Sequence, residues 1–62
     1  MNKPKCKLIG EDGNIFNLMG IASNTLKEAG LIEEAKEMVE KVTSSGSYLE
    51  ALAIISEYVE IV

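Results

Sequence analysis

Apolar residues recur at the spacing of an α-helix from Ile15 to the end of the chain, with interruptions at Gly30 and at Ser44–Gly46. A side chain returns to the same helix face after three or four residues, so this pattern predicts helices rather than strands. The two interruptions divide it into three segments. We therefore expect helices from about Ile15 to Ala29, from Leu31 or Ile32 to Thr43, and from Tyr48 to Tyr58 or beyond.

Residues suited to helix ends stand at the predicted boundaries. Asn14 precedes the first helix, and asparagine is a favoured N-cap because its side-chain oxygen accepts a backbone N–H. Ser47 and Glu50 have the spacing of a capping box before the third helix. Gly30 fits the left-handed position that ends many helices. Gly20 lies inside the first helix at a cost of about 1 kcal/mol, which is typical of a site where another backbone approaches closely.

The N-terminal segment has a different period. Lysines alternate with apolar residues from Lys5 to Leu8, which predicts a short strand over residues 5–9 with one apolar face. A lone strand is not stable, so it must lie on helices or pair with the tail or another molecule. The tail, residues 58–62, also alternates, and it either continues the third helix or pairs with this strand.

The expected fold class is therefore mainly α: a compact three-helix domain with a short N-terminal β-strand and, as one alternative, a second short strand at the C-terminus. Residues 1–62 form a single small helical domain, with residues 1–4 expected to fray. A core of this size supplies only about 3–5 kcal/mol. A partner, including a second copy of the chain, is thus an expected source of further burial.

Charge and residue types narrow the function. The chain has ten carboxylates, six lysines, no histidine and a net charge of −4. Nucleic-acid binding needs cations that replace phosphate counterions, so no direct nucleic-acid binding is expected. Histidine is the commonest general base and metal ligand, and we expect neither enzymatic activity nor a cofactor or metal. The apolar runs are also too short to span a membrane.

Cys6 is the only cysteine. It has no partner for an internal disulfide, and a free cysteine most often behaves as a small buried hydrophobe. The N-terminus carries lysines without an apolar run of signal-peptide length. Both observations favour a cytoplasmic protein.

The segment Gly10–Asn14, GEDGN, has two interpretations. It is a corner between strand and helix, since glycine permits unusual backbone angles and Asp12-Gly13 is a strong turn signal. It is alternatively a binding site, since its two acids and the nearby amides of Asn14 and Asn17 offer oxygen ligands to calcium. The spacing, however, departs from that of an EF-hand. We expect a structural corner, available for contact, formed by Gly10, Glu11, Asp12, Gly13 and Asn14.

Apolar residues outside the core-facing stripes mark a candidate interaction surface. The third helix is apolar over about half of its circumference, so it is either central in the chain's own core or meets a partner with one shoulder. Large exposed apolar patches on small proteins usually mark interfaces. The candidate surface consists of Phe16, Ile21, Leu49, Ile54 and Ile61.

Two segments also carry a resemblance: LIGEDGNIF, Leu8–Phe16, and TSSGSYLEAL, Thr43–Leu52. With the intervening KEAG, Lys27–Gly30, the chain resembles small uncharacterised proteins of conjugative transposons and related mobile elements of low-GC Gram-positive bacteria. Their pattern includes LxGEDGNxF and TSGSYxEAL, and this chain has one residue more in the second segment. The resemblance implies a cytoplasmic accessory protein and supplies no catalytic residues.

Two functions follow as expectations. The first is a small protein–protein interaction or accessory module of a mobile genetic element, with an unknown protein partner or a second copy of itself. The alternative is a regulator of nucleic-acid machinery that binds DNA weakly as an oligomer or imitates DNA through its acidic surface.

Overall fold

A computed structural model describes residues 3–62. It confirms the mainly α, three-helix fold and places each helix boundary within one residue of its expected position. Two short strands complete the structure. The elements in chain order are β1 (Lys5–Cys6), α1 (Ile15–Glu28), α2 (Ile32–Thr43), α3 (Tyr48–Tyr58) and β2 (Glu60–Ile61).

The tail leaves α3 and pairs with the N-terminal strand, which settles the alternative that the sequence left open. Val59 adopts extended backbone angles, as suits a β-branched residue, and its side chain is fully buried. The strands are parallel, and backbone bonds extend the pairing beyond them, from Glu60 N to Pro4 O and from Leu8 N to Val62 O. The register pairs Lys5 with Glu60 and Cys6 with Ile61.

One core joins all five elements. Each helix contributes buried apolar side chains, and Cys6, Leu8 and Val59 extend the core under the strands. Helix α3 packs against both other helices and β2, whereas α2 contacts neither strand. The apolar arc of α3 therefore packs in part within the chain's own core, where Ala51 and Ile55 are buried, while Tyr48 and Leu49 at its start remain exposed. The fully buried side chains of largest volume are Leu26, Met38, Ile55, Val59 and Cys6.

The chain buries its surface as a monomer does. Its accessible surface is 3988 Å², and a folded monomer of 6.7 kDa is expected to expose about 3900 Å². The radius of gyration is 10.4 Å, against about 10.6 Å expected for this length. The buried surface is thus typical of a folded chain of this size.

Two N-terminal details differ from expectation. Residues 3 and 4 were expected to fray, but the Lys3 Nζ donates to the Ser56 carbonyl at 2.7 Å and the Pro4 carbonyl accepts from Glu60 N at 2.8 Å. These bonds to the end of α3 and to β2 hold the segment in place. Residues 1 and 2 lie outside the described residues. Strand β1 is also shorter than the predicted span of residues 5–9.

Gly20 does not mark a close approach within the chain. A Cβ built at this position meets no atom within 4 Å, and its φ is not in the left-handed region. Gly30, in contrast, has a φ of +82° directly after the C-cap of α1. Gly20 thus weakens α1 without a packing reason inside this molecule, whereas Gly30 occupies its expected left-handed position.

Replacement of Gly20 by alanine should therefore stabilise the protein. We expect Gly20→Ala to raise the free energy of unfolding by about 0.5–1 kcal/mol, because alanine has the higher helix propensity and restricts the unfolded chain. Gly30→Ala is the matched control and should lower the free energy of unfolding by about 1–2 kcal/mol, the cost of a left-handed alanine. Urea unfolding followed by circular dichroism measures both. A loss of stability in Gly20→Ala would contradict the open environment at this position.

Candidate functional site

The GEDGN segment folds as a corner, but its turn lies earlier than the sequence suggested. Glu11 N donates to the Leu8 carbonyl at 3.1 Å, and Gly10 within this turn has a φ of +91°. Gly13, placed in the turn by sequence, has no positive φ. Gly10 is therefore the residue of this corner whose backbone angle requires glycine.

Side chains of the corner form the N-terminal cap of α1. The Asn14 Oδ1 accepts from Phe16 N at 2.9 Å, and Asn14 N donates to the Asp12 Oδ1 at 3.0 Å. The Asn17 side chain donates to the Asp12 carbonyl at 2.9 Å. The side-chain oxygens of Asp12 and Asn14, which the sequence offers as calcium ligands, thus accept hydrogen bonds within the cap.

The start of α3 is capped in a related way. The Ser47 Oγ accepts from Glu50 N at 3.1 Å, as the capping box predicts. The Glu50 carboxylate reaches one residue further than in the standard box and accepts from Gly46 N. The Tyr48 hydroxyl, on the first residue of α3, donates to the Gly13 carbonyl. This bond joins the starts of α1 and α3.

Most of the exposed large apolar side chains lie at this end of the molecule. Helices α1 and α3 begin here, and the last residues of both strands reach it. Leu49 is 77% exposed, Ile9 70% and Phe16 68%. Of six exposed large apolar residues in the described chain, only Ile32, at the start of α2, lies at the opposite end. We define the corner surface as Ile9, Phe16, Tyr48, Leu49 and Val62.

Tyr48 stands between two shallow grooves of the corner surface. One groove, of about 360 Å³, runs between the start of α1 and the α2–α3 loop and is lined in part by Phe16 and Ala51. The other, of about 260 Å³, is lined in part by Ile9 and Leu52. Both are open rather than enclosed. They offer two adjacent places for apolar side chains, separated by the Tyr48 ring.

The corner surface has an acidic border. Three exposed acids belong to the segments that form it: Glu11 and Asp12 lie in the corner itself, and Glu50 lies in the first turn of α3. Lys7 is nearby, and its ammonium group donates to the Ile9 carbonyl at 3.0 Å. The local charges therefore favour a ligand that carries cations beside apolar groups.

The structure divides the predicted interaction surface. Phe16 and Leu49 are exposed, whereas Ile21, Ile54 and Ile61 are half-buried and pack against the core. Leu49 and Ile54 are also about 140° apart around α3, at 3.6 residues per turn. The five residues therefore do not form one flat patch.

Sequence reasoning missed Ile9, Tyr48 and Val62. A signal for Ile9 was present, because it follows Lys5 and Lys7 at a spacing of two and so belongs to the solvent face of the strand. Tyr48 lies on the apolar arc of the third helix, a position that favours burial. Its position in the first turn, with no preceding turn to cover it, is the feature that leaves it 46% exposed.

A second polar cluster lies between α2 and α3. The Tyr58 hydroxyl donates to the Glu37 carboxylate, and the Lys41 Nζ lies 5.3 Å from the centre of the Tyr58 ring. Burial of the phenol and its bond to Glu37 raise the pKa of Tyr58 above its ordinary 10.0, and contact with Tyr58 raises the pKa of Lys41 above 10.5. These two groups are not poised for proton transfer near neutral pH, and the cluster joins the helices.

Within residues 3–62, no helix has the length and apolar character needed to span a bilayer. In the same part of the chain, no three side chains of metal-binding type stand close enough together to hold an ion. Comparison with protein-family models, curated proteins and solved structures gives no match to this chain. The function must therefore be argued from the corner surface itself.

The bond from Tyr48 to Gly13 should hold the two helix starts in register. We expect Tyr48→Phe to lower the free energy of unfolding by about 0.5–1.5 kcal/mol, the net value of one hydrogen bond. It should also speed amide hydrogen exchange at Asn14 and Phe16, whose N–H groups belong to the same cap. Exchange followed by NMR measures this effect.

Tyr58→Phe is the matched control, because it removes a tyrosine hydroxyl at the other end of α3. It should leave exchange at Asn14 and Phe16 unchanged. Equal exchange rates at these two amides in both variants would show that the Tyr48 hydroxyl does not organise the corner.

Proposed function

We propose that this protein is a small protein–protein interaction module whose docking site is the corner surface. The observation that carries the proposal is the collection of five exposed large apolar side chains at one end of a chain whose core is already complete. Exposed apolar patches rimmed by polar residues are characteristic of interaction sites.

Rigidity supports the same proposal. Phe16 and Leu49 each stand in the first turn of a capped helix, and Tyr48 is fixed by its bond to Gly13. A surface that is ordered before binding loses less conformational entropy when a partner docks. Aromatic anchors held in this way are typical of residues that dominate binding energy.

The acidic border defines the partner. Glu11, Asp12 and Glu50 would attract a segment whose apolar anchors are flanked by lysine or arginine. A second copy docked symmetrically by the same surface would bring the acidic borders of the two copies together without supplying cations. We therefore propose a segment of a different protein, with apolar anchors and basic flanks, as the occupant.

The setting of this interaction follows from the resemblance described above. We propose an accessory protein of a mobile genetic element that acts in the cytoplasm, where a free thiol such as Cys6 remains reduced. The proposal includes no catalytic step. The alternative of a nucleic-acid regulator has less support in both of its forms. Direct DNA binding is disfavoured because α3 carries no cation. Imitation of DNA is disfavoured because two of the glutamates of α2 lie within 4.0 Å of lysines on the same helix, which reduces its negative charge.

A synthetic amphipathic helical peptide, with leucines on one face and lysines beside them, is a direct probe of this function. We expect it to bind the protein and to shift the NMR resonances of Ile9, Phe16 and Leu49. The double variant Phe16→Ser with Leu49→Ser should bind at least about tenfold more weakly, since it removes two apolar anchors. Both side chains are exposed, so the variant should remain folded.

The chain offers a matched control in Ile32→Ser, which removes the exposed apolar residue at the opposite end. This variant should bind the peptide as the parent protein does. A peptide with glutamates in place of the lysines tests the acidic border and should bind weakly. Equal loss of binding in Ile32→Ser and in the double variant would overturn the assignment of the corner surface.

A further inference from the structure

Strand β1 has one edge that no other element covers. In the parallel ladder, Pro4, Cys6 and Leu8 exchange backbone bonds with the tail. Because alternate residues of a strand direct their N–H and C=O groups to opposite sides, those of Lys5 and Lys7 point away from β2. Among the described helices and strands, β1 contacts only α1 and β2. Its outer edge is therefore open for a further strand.

The same segment carries a concentration of positive charge. Three of the six lysines, Lys3, Lys5 and Lys7, lie within five residues, and all are exposed. Among the lysines of residues 3–62, only Lys36 and Lys41 have a carboxylate oxygen within 4.0 Å of the ammonium nitrogen. Lys3 and Lys7 donate instead to carbonyl oxygens. On a protein with a net charge of −4, these three lysines make no close ion pair within the described residues, and the acid in register with them is Glu60, beside Lys5.

The unpaired backbone groups and the positive charges belong to the same two residues, Lys5 and Lys7. Lys5 in β1 and Lys7 directly after it supply both the unpaired edge and the side chains on its solvent face. Alternate residues of an added strand would stand beside them. Main-chain bonding at an open edge is a common mode of peptide recognition. The charge selects the sequence of the added strand, because carboxylates at alternate positions would face the two lysines.

We propose that the outer edge of β1 binds an extended acidic segment of another protein, which adds to the sheet as a third strand. A second copy paired through the same edge would place Lys5 and Lys7 opposite lysines, and like charges across strands are destabilising. The site adjoins the corner surface at Lys7, whose ammonium donates to the Ile9 carbonyl, but it needs a partner of the opposite charge.

A short labelled peptide of alternating glutamate and valine, with blocked termini, is the probe. We expect the fluorescence anisotropy of the labelled peptide to rise when it binds the protein. Amide exchange at Lys5 and Lys7 should slow at the same time. The same peptide N-methylated at every second residue keeps its carboxylates but loses the N–H groups for one edge. It should bind at least about tenfold more weakly, because strand addition depends on main-chain bonds.

Exposed lysines allow a matched pair of protein variants. Lys5→Gln with Lys7→Gln should weaken binding about tenfold through the loss of two charge contacts. Lys27→Gln with Lys36→Gln removes the same charge elsewhere and should have little effect. Phe16→Ser with Leu49→Ser should also bind the acidic probe normally, so a failure of the corner surface and a failure of this site can be distinguished.

Three results would overturn the proposal. Equal binding of the N-methylated probe would show attraction by charge without strand addition. Absence of binding by the unmodified probe would indicate that the lysines only protect the edge from pairing. Binding to phosphatidylserine vesicles, lost in Lys5→Gln with Lys7→Gln while the peptide does not bind, would assign the lysines to a lipid surface.

Discussion

Backbone hydrogen bonds between residues 4–9 and residues 60–62 hold the two ends of this chain together. Parallel strands need a long crossover connection, and here all three helices form it. The pairing encloses Cys6 and Val59 in the core, and the Val62 carbonyl accepts from both Leu8 and Ile9. These last bonds fix the segment that follows β1 beside the corner. The position of the corner surface therefore depends on a contact between residues more than fifty positions apart.

The corner surface arises where several chain segments begin or end. Helices α1 and α3 both start there, and a first turn has no earlier turn to cover its side chains. Phe16 and Leu49 consequently remain exposed although their helices are well packed further along. The caps at Asn14 and Ser47 make these exposed positions rigid. The same features that start the helices thus produce an ordered apolar surface with carboxylates around it.

Local chemistry predicted most of the fold, and non-local packing decided the rest. Asn14, Gly30 and Ser47 mark helix boundaries through bonds or backbone angles within a few residues, so sequence alone located them. The route of the tail depended on pairing with β1, which periodicity does not encode. Likewise, Ile54 and Ile61 belong to the core margin because they pack against buried side chains contributed by distant parts of the chain. For the site, sequence identified Phe16 and Leu49 but not Tyr48, whose role depends on its bond to Gly13.

The central claim is that the corner surface serves a basic, apolar segment of another protein rather than a second copy. Light scattering over a wide range of protein concentration, at physiological ionic strength, tests it most directly. The account predicts a constant mass of 6.7 kDa, since the core is complete and the acidic borders of two copies repel. A rise toward twice that mass with concentration, abolished by Leu49→Ser, would contradict it and assign the surface to self-association.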